Sequence, residues 1–257
     1  MKISEGRVIV TGATRGIGRA VAEAIVERGG RVVGIARDTD ALRALEGSSP
    51  DRIRTVAADL GDPGRIPETA RRAIDAFEGV DGLINCAAIA RYEHIEAIRI
   101  DSIERQLYVN LVAPLLLCQA VAEHLRDRGG SIVNVSSTLS ERVAPSTAVY
   151  AATKAALNAL TKSLALELAP RMIRVNCVLP GGVDTDMLRI PRLRPGESLN
   201  ETELEQRVQS QLAKLKALHP LGRLGKPTEV ADVILSVLDQ PWQTGSLVTI
   251  DGGLSLA

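Results

Sequence analysis

Along this chain the apolar positions switch between two spacings from end to end. Short runs rich in Val and Ile, bounded by turn residues, predict strands near 7–11, 31–36, 53–58, 82–86, 131–136, 172–178 and 246–250. Helical patterns lie between them. One is the amphipathic stretch 19–28, closed by Gly29 and Gly30, and another is 148–169, an unbroken series of good helix formers. Alternating strands and helices predict an α/β fold with a doubly wound parallel sheet of the Rossmann type, seven strands carrying helices on both faces. No Pro/Gly/Ser linker, composition shift, fixed-period repeat or low-complexity tract divides residues 1–257, so a single domain is expected. The least regular stretch, 187–211, holds Pro191, Pro195 and Gly196 before an amphipathic helix.

Thirty-one basic residues balance 31 acidic ones, and the two signs are interspersed, which argues against a nucleic-acid partner because no basic stripe can track a phosphate backbone. Residues 1–6 lack the apolar region of a signal peptide, and no apolar run reads as long enough to span a bilayer, so no membrane association and a cytoplasmic location are expected. Aromatic residues make up 2% of the chain, so Ala, Val, Leu and Ile must fill the core and the pocket has few rings to stack a large planar substrate. Cys86, Cys118 and Cys177 are odd in number and widely spaced in apolar surroundings, which argues for buried thiols over disulfides or a metal cluster. His94, His124 and His219 lack the paired spacing of a zinc helix, so no metal is expected. His94 follows the fourth strand and is read as a surface residue, with the substrate pocket as the alternative.

The candidate chemistry centres on Tyr150, Lys154 and Ser137. Within a helix, positions i and i+4 share a face, which sets the Lys154 ammonium beside the Tyr150 hydroxyl. A free phenol titrates near ~10, and a fixed positive charge favours its ionised form, so the pair can do acid/base work without histidine. Ser137 closes an apolar run that reads as a buried strand, where a parallel sheet presents ligand-contacting groups. At the other end of the chain, Gly12, Gly16 and Gly18 stand between a strand and a helix in the spacing G-x-x-x-G-x-G. Gly12 suits a tight turn, Gly16 a close approach of backbone to a pyrophosphate and Gly18 tight helix packing, while the helix N-terminus favours an anion.

Together, Thr11-Gly12-x-x-x-Gly16-x-Gly18, Asn110, Ser137 and Tyr150-x-x-x-Lys154 resemble the short-chain dehydrogenase/reductase family, in particular its 3-oxoacyl-reductase-like members. Further landmarks stand in order over essentially the whole chain: Asp59-Leu60, Pro180-Gly181-Gly182-Val183-Asp184-Thr185 and Asp251-Gly252-Gly253. The resemblance implies that Tyr150 is the acid in ketone reduction and the base in alcohol oxidation. It implies that Lys154 lowers the phenol's pKa and holds the nicotinamide ribose, Ser137 bonds the substrate oxygen and Asn110 anchors a water chain. Ser136 is the competing serine, and strand alternation turns it to the other side. The glycine turn, with Thr14, Arg15 and Ile17, would hold the pyrophosphate side of the cofactor. Asp59 would meet the adenine amino group and Leu60 the adenine through its backbone. Asn85 and Ala87 after the fourth strand and Pro180 after the sixth would also line the cofactor, with Val183 and Thr185 clamping the carboxamide. One landmark departs: the family's Asn-Asn-Ala-Gly is here Asn85-Cys86-Ala87-Ala88, which bears on the local loop conformation.

Cofactor choice turns on the end of the second strand, where an NAD enzyme offers a carboxylate. Ala36 holds that place with Arg37 next, and a guanidinium suits a 2′-phosphate, so NADP(H) is expected, with Arg15 as a second cation. Asp38 is read as the cap of the next helix; its reaching the ribose instead would mean NAD. The implied reaction moves a hydride between nicotinamide and a small carbonyl or secondary-alcohol substrate. Rivals are a nucleotide-sugar enzyme, which needs a longer C-terminal region, and a non-catalytic nucleotide-binding sensor. The resemblance further implies a substrate lid over about 187–215 and a homo-oligomer, commonly a tetramer. Arg189, Arg192 and Arg194 in that lid are read as solvated, with contact to an anionic substrate as the alternative.

Overall fold

Seven strands pair in one parallel sheet in a computed structural model that describes residues 2–125, 129–193 and 196–257. They are β1 (Arg7–Thr11), β2 (Arg31–Ala36), β3 (Ile53–Ala57), β4 (Gly82–Asn85), β5 (Gly130–Val135), β6 (Ile173–Pro180) and β7 (Leu247–Ile250). The sheet order is β3-β2-β1-β4-β5-β6-β7, and each neighbouring pair is parallel. The order reverses between β1 and β4, which opens a crevice at the carboxyl ends of those two strands, the place where such sheets bind ligands.

The helices are α1 (Gly16–Glu27), α2 (Thr39–Ser48), α3 (Ile66–Asp75), α4 (Ile100–Leu107), α5 (Ala113–His124), α6 (Ala148–Leu168), α7 (Glu201–Leu218) and α8 (Pro227–Asp239). Successive strand residues point to opposite faces, and this divides the core in two. Val8 and Val10 join Val21 and Ile25 of α1 and Ile234 and Leu238 of α8 on one face. Ile9 joins Ile66 and Ala70 of α3 and Leu117 and Val121 of α5 on the other. Each such buried aliphatic contributes about 1.5–3 kcal/mol, which holds the strands, and therefore their carboxyl ends, in fixed register.

Helix starts follow local chemistry. Asp38 caps α2, accepting from the backbone N–H of Asp40 and Ala41, both at 3.0 Å, as the sequence predicts. Asn200 and Glu203 form a reciprocal capping box, so α7 begins at Glu201, inside the stretch 187–211. Between α4 and α5 the chain makes a π turn, Tyr108–Val112, so Ile100–His124 runs as one continuous helix. This corrects the expectation that no stretch is long enough to span a bilayer. By length and composition the 25-residue helix is, and 44% of its most apolar stretch is buried inside this fold.

Candidate active site

The crevice begins where β1 ends. The buried Thr11 hydroxyl accepts from the backbone N–H of Cys86 and of Ala87, each at 3.0 Å, and so ties the turn after β1 to the turn after β4. Gly12 has φ +69°, and a Cβ added there would lie 3.0 Å from the Ala87 backbone, so the two turns approach as closely as a bare backbone allows. Gly18 packs its face on the same turn, with an added Cβ 2.3 Å from the Gly12 carbonyl oxygen. Arg15 precedes α1 in extended conformation with no side-chain cap, and the first helical turn has no acid. The leading N–H groups of a 12-residue helix therefore offer an anion site, and these residues fit the pyrophosphate of a dinucleotide. Thr185, in the loop after β6, faces that turn, its methyl 3.2 Å from where a Gly16 Cβ would stand.

Farther along the crevice, Arg15 and Arg37 are exposed, and Asp38 is committed to its cap. Asp59 is half-buried and gripped by the Arg105 guanidinium, one nitrogen reaching both carboxylate oxygens at 2.7 and 2.8 Å, and it accepts from Gly61 N–H at 2.9 Å. Burial would raise the Asp59 pKa, but the Gly61 and Arg105 bonds and the charges of Arg105 and Arg37 outweigh it and hold the carboxyl below its ordinary value. Val183 is buried and bridges Gly225, and the Pro180 carbonyl accepts from Thr138 at 3.3 Å. Leu60 sits in the core beside β2 and β3. The Asn85 side chain turns away from the crevice, donating to Asn134 at 2.9 Å and to the Cys118 sulfur at 3.4 Å, so only its backbone faces the turn after β4.

Ser137, Tyr150, Lys154 and Asn110 come together at the carboxyl end of β5. Ser137 follows β5 and Tyr150 lies in the first turn of α6, and their hydroxyls hydrogen-bond. Burial, then the nearby Tyr92 phenol, push Tyr150 above the ordinary value, and the Ser137 bond opposes them. Lys154, 2% exposed, donates to the Val135 carbonyl at 2.8 Å, with its nitrogen 5.8 Å from the Tyr150 ring centroid. Burial pulls its pKa down to about 8, against the attraction of Cys177 and Cys86. The ammonium thus lies under the ring and points to the strand, not to the phenol oxygen. Ser136 faces the other way and donates to the Lys154 backbone carbonyl at 3.1 Å. Asn110 lies wholly buried in the π turn; its carboxamide exchanges bonds with both backbone groups of Ile89 at 2.9 Å and donates to Thr153 at 3.1 Å. Thr153 in turn donates to the Tyr150 carbonyl at 2.7 Å, so one chain of bonds runs from the loop after β4 to α6.

The departure at Cys86 and Ala88 leaves this frame intact. Ala88 is not among the residues with positive φ, so the usual glycine is unnecessary, and Cys86 packs against the α1 and α8 core. Burial pushes its thiol up to about 12, and Cys118 and Cys177 are buried. His94 is exposed. His219, passed over in the sequence, is buried with Nδ1 bonded to the Leu215 carbonyl at 2.6 Å, and its Nε2 accepts from Gly182 N–H at 3.0 Å, bracing the turn after β6. Arg105 and Tyr92 were also passed over. Their partners lie far away in sequence, so no local spacing marks them. Of the three arginines between β6 and α7 singled out in the sequence, Arg189 pairs with Asp184 at 2.6 Å, Arg192 lies on the Tyr92 ring, and Arg194 falls outside the described residues.

Residues 12–255 match the family model described as enoyl-(acyl carrier protein) reductase. The chain is 34% identical to carbonyl reductase family member 4 of Xenopus tropicalis over 248 residues, 96% of this chain and 97% of that protein. It is 32% identical to the human 3-oxoacyl-[acyl-carrier-protein] reductase over 248 residues, with the same shares covered. Among solved structures, the 3-ketoacyl-(acyl-carrier-protein) reductase of Brucella melitensis complexed with NADH superposes with a TM-score of 0.86 at 27% identity, covering 98% of this chain and 99% of that one. The ligand-free aldohexose dehydrogenase of Thermoplasma acidophilum gives 0.84 at 29% identity, covering 99% and 96%. Matched from glycine turn to closing strand, and alike in fold over nearly its full length, the chain is a member of the short-chain dehydrogenase/reductase family and an NAD(P)-dependent oxidoreductase.

Proposed function

We propose that the protein is an NADP(H)-dependent reductase of ketones, able to run in reverse on secondary alcohols, with Tyr150 as the proton donor and acceptor. The observation that carries the reading is the buried Tyr150 phenol, hydrogen-bonded to Ser137 and underlain by a buried Lys154 at the open end of the sheet. A bound nicotinamide supplies or takes the hydride. The protein's own groups manage the proton. Burial keeps it on Tyr150 at neutral pH, ready for a substrate oxygen that gains negative charge. Ser137 donates a second hydrogen bond to that oxygen, and the Lys154 charge favours the phenolate left behind. Asn110, fixed by Ile89 and Thr153, holds the π turn from which a water chain can reload the site.

NADP(H) is favoured over NAD(H) because Asp38 spends its carboxylate on the α2 cap, leaving Arg37 beside Ala36 at the end of β2. The second reading, NAD(H), draws on the Brucella relative, whose structure is complexed with NADH. The names of the relatives support a 3-oxoacyl thioester or another small carbonyl compound as substrate. A homotetramer is supported by the outer face of α6, where Ala152, Ala155, Ala159 and Leu166 are exposed, Leu166 at 81%. Titration of nicotinamide fluorescence with NADPH and NADH tests the cofactor. Tenfold tighter NADPH binding, about 1.4 kcal/mol, is expected, and equal or tighter NADH binding overturns it. Tyr150→Phe should abolish turnover with nucleotide affinity nearly unchanged, and an active variant would sink the assignment.

A further inference from the structure

Arg192 reaches the substrate side of the crevice from the stretch before α7. Its guanidinium carbon stands 4.1 Å from the centroid of the Tyr92 ring, a close cation–π contact. Tyr92 comes from the loop after β4 and is near enough to Tyr150 to disfavour its ionisation, which ties Arg192 to the reacting end of the pocket. The backbone of Arg192 is fixed on both sides: its N–H donates to the Gln211 side chain at 3.3 Å, and its carbonyl accepts from Arg207 at 3.1 Å. The same Gln211 also donates to the carbonyls of Leu188 and Ile190, so the segment carrying Arg192 is anchored to α7.

What Arg192 lacks is an anion. Among the described residues no carboxylate pairs with it, and its Nε is buried with no hydrogen-bond partner. The acids around it are spoken for: Arg207 takes Glu197, Arg189 takes Asp184, and Glu93, next to Tyr92, accepts from the Ser102 hydroxyl. A buried guanidinium nitrogen without a partner carries an unmet desolvation cost, larger for a charged group than for a neutral one, and an oxyanion arriving in the pocket removes that cost. The planar fork matches two oxygens of a carboxylate or phosphate.

We propose that Arg192, held flat on Tyr92, anchors an oxyanion of the substrate, so that the carbonyl compound is an oxo acid or an oxo phosphate. This deepens the ketone-reductase reading and rests on it for the reaction, though not for the binding. Arg192 sets specificity; it moves no proton.

The test uses a chain-length series of keto acids, acetoacetate, 4-oxopentanoate and 5-oxohexanoate, each beside its methyl ester, with dihydroxyacetone phosphate beside dihydroxyacetone as the phosphate arm. Calorimetric titration in the presence of the oxidised nucleotide, which has no hydride to give a ketone, reads binding without turnover. At least one acid or the phosphate should bind tenfold or more tightly than its neutral partner. Arg192→Gln should collapse that ratio to near one, and Arg192→Lys should keep part of it, with thermal melting checking that both variants fold. Whichever of the carboxylate and phosphate arms shows the ratio identifies the oxyanion. Equal binding of every charged and neutral pair, or a preference that survives Arg192→Gln, overturns the proposal. Turnover is then measured on the same series. Neutral ketones reduced with no charge preference would leave the reductase reading standing and remove the anchor. Oxyanions bound through Arg192 but never reduced would keep the anchor and count against the reductase reading.

Discussion

Arg105 holds both carboxylate oxygens of Asp59 with a single guanidinium nitrogen, at 2.7 and 2.8 Å, across 46 residues of sequence. Asp59 is the residue that the family resemblance sets against the adenine, so its orientation is under the control of α4. Arg105→Ala should weaken nucleotide binding several-fold in a fluorescence titration while lowering stability by no more than about 1 kcal/mol, since the pair is partly exposed. Gly61→Ala is a gentler version, because its methyl would fall 1.7 Å from the Arg105 guanidinium and displace it. Nucleotide affinity unchanged in both variants would show that Asp59 needs no orienting.

Lys154 should be costly to the fold. Its pKa falls from 10.5 to about 8 because burial disfavours the ammonium, so between those values the unfolded chain binds more protons than the folded one. Stability attributable to this group therefore rises as pH increases from about 8 to 10.5, and below 8 the penalty is fully present. Lys154→Met removes a penalty on the order of 3 kcal/mol, less the lost bond to Val135, and should raise the melting temperature by about 5 °C at pH 7 while eliminating turnover. A variant that melts lower than the parent at pH 7 would contradict this account.

Gly18→Ala should be among the most damaging single methyl additions. The new Cβ would press to 2.3 Å from a backbone oxygen that cannot swing aside, forcing α1 off the glycine turn. A loss of 1–3 kcal/mol, roughly the cost of overpacking, and a nucleotide affinity at least tenfold weaker are expected from denaturant titration and fluorescence.

The three thiols should be unreactive together. Cys86 and Cys118 are raised to about 12 and Cys177 to about 11, chiefly by burial, so thiolate is scarce at pH 7.5. Iodoacetamide should label all three in urea and none quickly in the native protein. Rapid native labelling of Cys86 would mean that the sulfur is more open than its surroundings here imply.

The sheet was readable in the sequence because each strand is a self-contained apolar run between turn residues, and all seven appear within a few positions of their expected limits. Pairing supplies what those runs lack: β6 continues to Pro180, beyond 178, because Leu179 and Pro180 still match Thr249 and Ile250 of β7. The grouping of Tyr150, Ser137, Lys154 and Asn110 was signalled by spacing and by the family resemblance, and the Asp38 cap by its residue type. Contacts between distant segments were not readable. Arg105 with Asp59, His219 with Gly182 and Arg192 with Tyr92 each join elements whose proximity exists only after folding. The direction of the Lys154 ammonium was also hidden, since helical spacing sets which face a long side chain leaves from and not which oxygen it finds.

The π turn at Tyr108–Val112 acts as a phase shifter within one rod. Each residue advances an α-helix by about 100°, and this turn takes in one residue more than an α turn does, so α5 keeps the phase it would have in a rod one residue shorter. Deleting one residue from the turn would therefore leave Leu117, Cys118 and Val121 in the core but remove the wide turn that seats Asn110 against Ile89. Single-residue deletions should therefore spare the packing of the rod in these five positions and cost it heavily within α5, where no wide turn takes up the change.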